Sequence, residues 1–174
     1  MTLITTNTSS NAANSSFTSS IDSTYKLYIF KFYDVNPATD AAVFTFQGNA
    51  TDSTSYDETI TSTSFNAYHT ESDGGTPNVA YSDSYDQAQG TAYQSLSDTV
   101  GNGSDESCAG ELHLFNPSST TYVKHFYARV NVYQRENYTV DHYVAGYFNT
   151  TTAIDDIRFQ MSSGTSMAQS KCGE

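Results

Sequence analysis

The segment Tyr122–Gln134, YVKHFYARVNVYQ, decides the fold. Its even positions Phe126, Ala128, Val130 and Val132 are apolar, while its odd positions include His125, Arg129 and Asn131. Alternation with a period of two sends one row of side chains into a core and the other into solvent, the pattern of a half-buried β-strand. Arg135-Glu136-Asn137 then turns the chain, and Tyr138–Phe148 returns as a hairpin partner.

The neighbouring segments extend the same pattern. Upstream, Ala109–Phe115 places Leu112 and Leu114 inward and Glu111 and His113 outward, and Asn116-Pro117-Ser118-Ser119 separates it from the hairpin. Downstream, Ile154–Met161 carries Ile157, Phe159 and Met161 on one face. Tyr25–Val35 (YKLYIFKFYDV) is apolar on both parities, which predicts a strand buried on both faces or lying between the core and a partner. Val43–Gln47 adds a strand with Phe44 and Phe46 on one face. Ile60 and Phe65 have opposite parity within Tyr56–His69, so a bulge or break is expected between them. Thr70–Tyr85 reads as a loop from Asp73-Gly74-Gly75 and Pro77, and Gly101–Glu106 as a second. Asp86–Val100 fits helix or strand, with its Thr, Tyr and Val content favouring strand. The expected architecture is all-β, an antiparallel β-sandwich of about eight strands over residues 21–164. Residues 1–20 are expected to form a flexible or partner-docked N-terminal arm, and 165–174 a polar C-terminal tail.

Composition narrows the function. The chain has 19 Asp and Glu against 7 Lys and Arg, a net charge of -12. Direct nucleic-acid binding through phosphate neutralisation is therefore not expected. The acidity reads first as solubility, and secondly as complementarity to a basic surface. No segment approaches the roughly 18 consecutive apolar residues of a membrane helix, and no membrane role is expected. The first sixteen residues lack the basic and apolar regions of a signal peptide. Charged residues make up only 15%, against about 25% in soluble domains, and Ser, Thr and Asn supply the polarity instead.

No catalytic, cofactor-binding or metal-binding residue is assigned. The four histidines are His69, His113, His125 and His142, and no G-x-S-x-G elbow accompanies them. His113, His125 and His142 are expected at outward or rim positions. His125 and His142 could face one another across the hairpin, but two ligands are too few for a metal site. Among the acidic loops, Gly101–Glu106 is the best calcium candidate, with a solvated turn the expected reading. Cys108 and Cys172 read as thiols, with a bridge between them as the alternative. Tyr81, Tyr85, Tyr93, Tyr133, Tyr138, Tyr143 and Tyr147 could form a face for stacking on sugars or for binding protein, or could be cross-strand pairs and core. The candidates for partner contact are Tyr28, Phe30, Phe32, Tyr133 and Tyr143.

Five stretches carry a resemblance: IDSTYKLYIFKFYDVNPATD (Ile21–Asp40), FNAYH (Phe65–His69), LFNPSSTTYVKHF (Leu114–Phe126), YVAGYFNTTTAID (Tyr143–Asp155) and FQMSSG (Phe159–Gly164). Together they resemble small structural proteins of marine bacteriophages of the cyanophage type. The resemblance implies a jelly-roll virion component without catalytic activity. Its partners would be the major capsid protein or other virion proteins, and it would form a homo-oligomer. The implied station is the capsid surface, as a decoration, cement or knob protein; the alternative is a tail or receptor-binding appendage that recognises a host surface glycan. Similar chains continue after M-S-S-G into an apolar closing strand. Thr165–Glu174 (TSMAQSKCGE) is polar and is not expected to be that strand, which would leave an edge open or supplied by a partner.

Overall fold

The computed structural model describes residues 2–163 with their side chains and residues 167–173 as backbone. Among the described residues there is no helix. The strands are β1 (Thr6–Ser9), β2 (Asn14–Phe17), β3 (Leu27–Pro37), β4 (Ala42–Ala50), β5 (Ile60–Thr70), β6 (Asn78–Tyr81), β7 (Ala88–Gly90), β8 (Gln94–Val100), β9 (Cys108–Phe115), β10 (Lys124–Gln134), β11 (Tyr138–Phe148), β12 (Ile154–Met161) and β13 (Met167–Gly173). Eight of them, β3, β4, β5 and β8 to β12, are the strands expected between residues 21 and 164. The additions are four short strands and β13.

All pairings are antiparallel, and they make two layers. The larger runs β1-β13-β3-β9-β10-β11-β5, with β6 and β7 on β5. The smaller runs β8-β4-β12-β2, and the single pair Gln134↔Val100 joins the two at a corner. The deciding strand sits at the centre of the larger layer. β10 pairs with β11 without interruption from Lys124↔Phe148 to Gln134↔Tyr138, and with β9 on its other side. Asn137 closes the hairpin at φ 61°, a left-handed conformation that Asn tolerates. Strands β9, β10 and β11 form a meander, and no four consecutive strands take the 4-1-2-3 order of a Greek key among the described pairings.

The layers meet through aromatic rings. Phe32 of the larger layer lies 5.0 Å from both Phe44 and Phe159 of the smaller one. Phe46 lies 5.0 Å from Phe126 and 5.9 Å from Phe148. Such edge-to-face pairs are worth about 0.5–1.5 kcal/mol each beyond area burial. Tyr28, Phe30 and Phe32 are therefore core and not a partner-contact surface: their exposures are 3%, 6% and 1%. The Tyr28 hydroxyl accepts from Asp22 N and donates to Asp22 O. In the YKLYIFKFYDV segment Tyr28, Phe30 and Phe32 point inward, whereas Leu27 is exposed and Ile29 half-buried, so the strand is not buried on both faces. The register of β3 shifts between Phe32 and Val35, where Asp34 sits at φ 52°, so Tyr33 and Asp34 are both exposed and Val35 returns inward.

Other expectations change with the structure. The tail is not a free polar segment: β13 pairs with β3 and thereby covers the edge expected to be open. Backbone pairing along a covered edge does not require apolar residues, which the sequence pattern could not reveal. The remaining tail positions and the Cys172 side chain, on which the cysteine pairing depends, lie outside the described residues. The arm is docked on its own domain. β1 pairs with β13 and β2 with β12, so the arm reaches both layers, and Phe17 is buried 5.3 Å from Phe30. No bulge separates Ile60 from Phe65: β5 pairs with β11 in unbroken register, with Ile60 inward and Phe65 outward. The expected loop Thr70–Tyr85 contains β6.

Candidate functional site

The outer face of the larger layer gathers the exposed aromatic and charged residues. One transverse row crosses five strand junctions: Lys31↔Glu111, Glu111↔Arg129, Arg129↔Tyr143, Tyr143↔Phe65 and Phe65↔Tyr81. At about 4.8 Å per junction it is roughly 24 Å long. Its first half is charged and its second half aromatic. Tyr143 and Phe65 stack with centroids 4.8 Å apart and planes within 2°. The Arg129 guanidinium lies 5.2 Å over the Tyr143 ring, an arrangement favoured by the negative face of the ring. A second cluster stands beside the row, with His113 stacked on Tyr127 at 4.4 Å and Phe115 5.6 Å from Tyr127.

Arg129 and Asp141 lock each other. Arg129 Nε and Nη2 donate to the two Asp141 carboxylate oxygens at 2.7–3.2 Å, and Tyr143 also donates to Asp141. The hydrogen bond from Arg129 holds the Asp141 carboxyl below its ordinary value, and burial works against it. Tyr143, a sequence-level candidate, is thus part of the site. Tyr133 lies at its end and donates to Glu71 and Asn137. Tyr81 is exposed and donates to Asp86. Tyr85 is a half-buried link whose hydroxyl donates to Asp98 at 3.1 Å, and burial raises its pKa far above the usual phenol range. Tyr138 packs on the core beside Tyr68. Tyr33 and Tyr127 were not singled out from sequence. Tyr33 has the parity of Leu27, Ile29 and Lys31, and Tyr127 that of His125 and Arg129, so strand parity could have found both.

The histidines divide differently from the expectation. His142 is buried and not at a rim. It faces Val130 across the hairpin, whereas His125 faces Tyr147, so the two histidines do not pair. His142 Nε2 lies 2.6 Å from Ser64 Oγ, a Ser–His contact of catalytic length. Both residues have zero exposure, and no hydrogen bond reaches His142 Nδ1 among the described residues. Asp98 is engaged by Tyr85 and Thr99 instead. The orienting third group of a triad is absent from Nδ1, and substrate has no path to the serine. Burial pushes the His142 pKa down to about 4.

No group of three or more His, Cys, Asp or Glu suited to a metal occurs among the described residues. In the Gly101–Glu106 loop, the Glu106 carboxylate accepts from Gly103 N, and the Asn36 side-chain amide donates to the carbonyls of Gly103 and Glu106. These bonds tie the loop to β3 and engage one Glu106 carboxylate oxygen and two of its carbonyls. The chain matches no protein-family model, no curated protein and no solved structure.

Proposed function

We propose that this chain is a structural protein of a bacteriophage particle, a decoration, cement or knob protein held on the head, with the major capsid protein as its partner. The reading starts from the sequence resemblance. The single structural observation that supports it is the β5–β6 border. β6 pairs only with β5 among the described strands, so its other edge offers unpaired backbone groups. On that border Val79 is 69% exposed, Tyr81 58% and Phe65 44%. An apolar edge of this kind invites strand addition or apolar burial by a neighbour. A rigid sandwich presenting it can reinforce a shell by binding assembled subunits alone, which stabilises them by mass action.

The test is to locate the protein in a density map of the particle and count its copies. A capsid lattice requires copies in the hundreds, each with the β5–β6 border against shell protein. Val79→Asp combined with Tyr81→Ser is expected to leave the purified domain folded and to release it from particles. A few copies at a tail, or retention of the double variant, would overturn the assignment.

A further inference from the structure

The charged half of the outer face contains a groove of about 530 Å³. Its polar and aromatic lining is Lys31, Tyr33, Glu111, Arg129, Asn131 and Asp141, beside the small residues Ala109 and Gly110. We propose that this groove is a binding site for an uncharged saccharide, stacked on Tyr33 and held by the polar side chains around it.

Three observations lead to that ligand class. Tyr33 is 49% exposed beside the β3 bulge, so an aromatic surface faces the groove rather than the core. Such a ring offers contact to the apolar C–H face of a sugar at low entropic cost. The polar groups are fixed but not exhausted. Asn131 Nδ2 donates to Thr139 Oγ1 at 3.1 Å and to Val140 O at 3.3 Å, which orients the amide and leaves Oδ1 to accept. Arg129 uses Nε and Nη2 on Asp141 and keeps Nη1. Glu111 Oε1 lies 2.9 Å from His113, while Oε2 is 4.0 Å from Lys31 Nζ, beyond hydrogen-bond distance, so both retain capacity. The groove thus offers both donors and acceptors together with one exposed ring, the mixture that the hydroxyls and C–H face of a pyranose require.

The third observation is charge. Lys31 and Arg129 balance Glu111 and Asp141 within the groove, on a chain of net charge -12. A groove whose own charges cancel offers no net charge to attract an anionic or a cationic ligand. A neutral glycan is the complementary occupant. The groove and the β5–β6 border lie at opposite ends of the transverse row, so a particle-bound copy could present the groove outward.

The purified protein is tested on an array of neutral gluco-, galacto- and manno-configured oligosaccharides, with uronate-bearing and sialylated ones alongside, and hits are titrated by calorimetry. Saturable binding to a neutral oligosaccharide is expected. Tyr33→Ala and Asn131→Ala should each weaken it roughly ten-fold or more with unchanged melting temperatures. Tyr122→Ser, which removes an exposed ring outside the groove, should leave it unchanged. Four outcomes would overturn the site: no retention of any neutral oligosaccharide, binding confined to anionic ones, binding indifferent to both groove variants, or a dimer in solution that Tyr33→Ala dissociates. None of these bears on where the protein sits in a particle, so this inference and the particle assignment fail separately.

Discussion

At the residue scale, His142 shows how position on a strand overrides residue type. Burial lowers its pKa from 6.5 to about 4, despite the opposing fields of Asp98 and Asp141. The folded state therefore binds fewer protons than the unfolded state between these values. The contribution is fully present above pH 6.5, is lost as pH falls through 4, and amounts to about 3 kcal/mol by the usual 1.36 kcal/mol per unit. Denaturant midpoints at pH 7, 5 and 4 should show this decline in the native protein, and His142→Phe should lack that component. Lys124 is a second case. It is fully buried, and its ammonium donates to the carbonyls of Tyr122 and Thr150 at 3.1 and 3.0 Å. Lys124→Met keeps the stem but strips both carbonyls of a donor, and a loss of about 2 kcal/mol is expected in urea unfolding. Both residues were legible by parity alone. His142 falls in register with the buried Val140 and Val144, and Lys124 with Phe126. Their polarity argued for an outward position, and inward polar residues are only understood once their hydrogen-bond partners on neighbouring segments are known.

At the element scale, β10 is the strand most closely approached by its neighbours. A Cβ at Gly110 on β9 would lie 2.2 Å from the Arg129 carbonyl oxygen, a backbone atom that cannot swing aside. Gly110→Ala should therefore cost on the order of 3 kcal/mol through disruption of β9–β10 pairing, whereas Gly74→Ala, which meets only the Ser72 hydroxyl at 3.3 Å, should be near neutral in the same thermal melts. The N-terminal strands depend on one ring. Phe17 lies 5.3 Å from Phe30 and 6.1 Å from Phe159. Phe17→Ala should cost about 3 kcal/mol and remove amide-exchange protection from Asn14–Phe17 while β10 stays protected. β10 was legible because its inward positions alternate strictly, whereas β3, β4 and β8 bury residues of both parities and were read from β-rich composition. The short ones were not: Thr6–Ser9 and Asn14–Phe17 have almost no apolar pattern, and only their partners on β13 and β12 make them strands. The candidate site was half legible. Tyr143 announced itself as one of many tyrosines, but the row from Lys31 to Tyr81 draws on six segments of chain and exists only through the register.

At the scale of the whole molecule, charge works against compactness. With a net charge of -12 and only a few ion pairs, the folded state repels itself more than the expanded chain does. Moderate salt should raise the melting temperature, in contrast to a protein held by surface ion pairs, and a scan from low to about 0.5 M sodium chloride reads the sign. The pairing of first strands with last ones also has a temporal consequence. During synthesis the arm emerges before the strands it pairs with: β2 has no partner until β12 is made, and β1 none until β13 follows. Phe17 meets Phe30 early but must wait for Phe159, far later in the chain. The arm is thus made before the sandwich it locks onto, and its docking is timed by the emergence of β12 and β13.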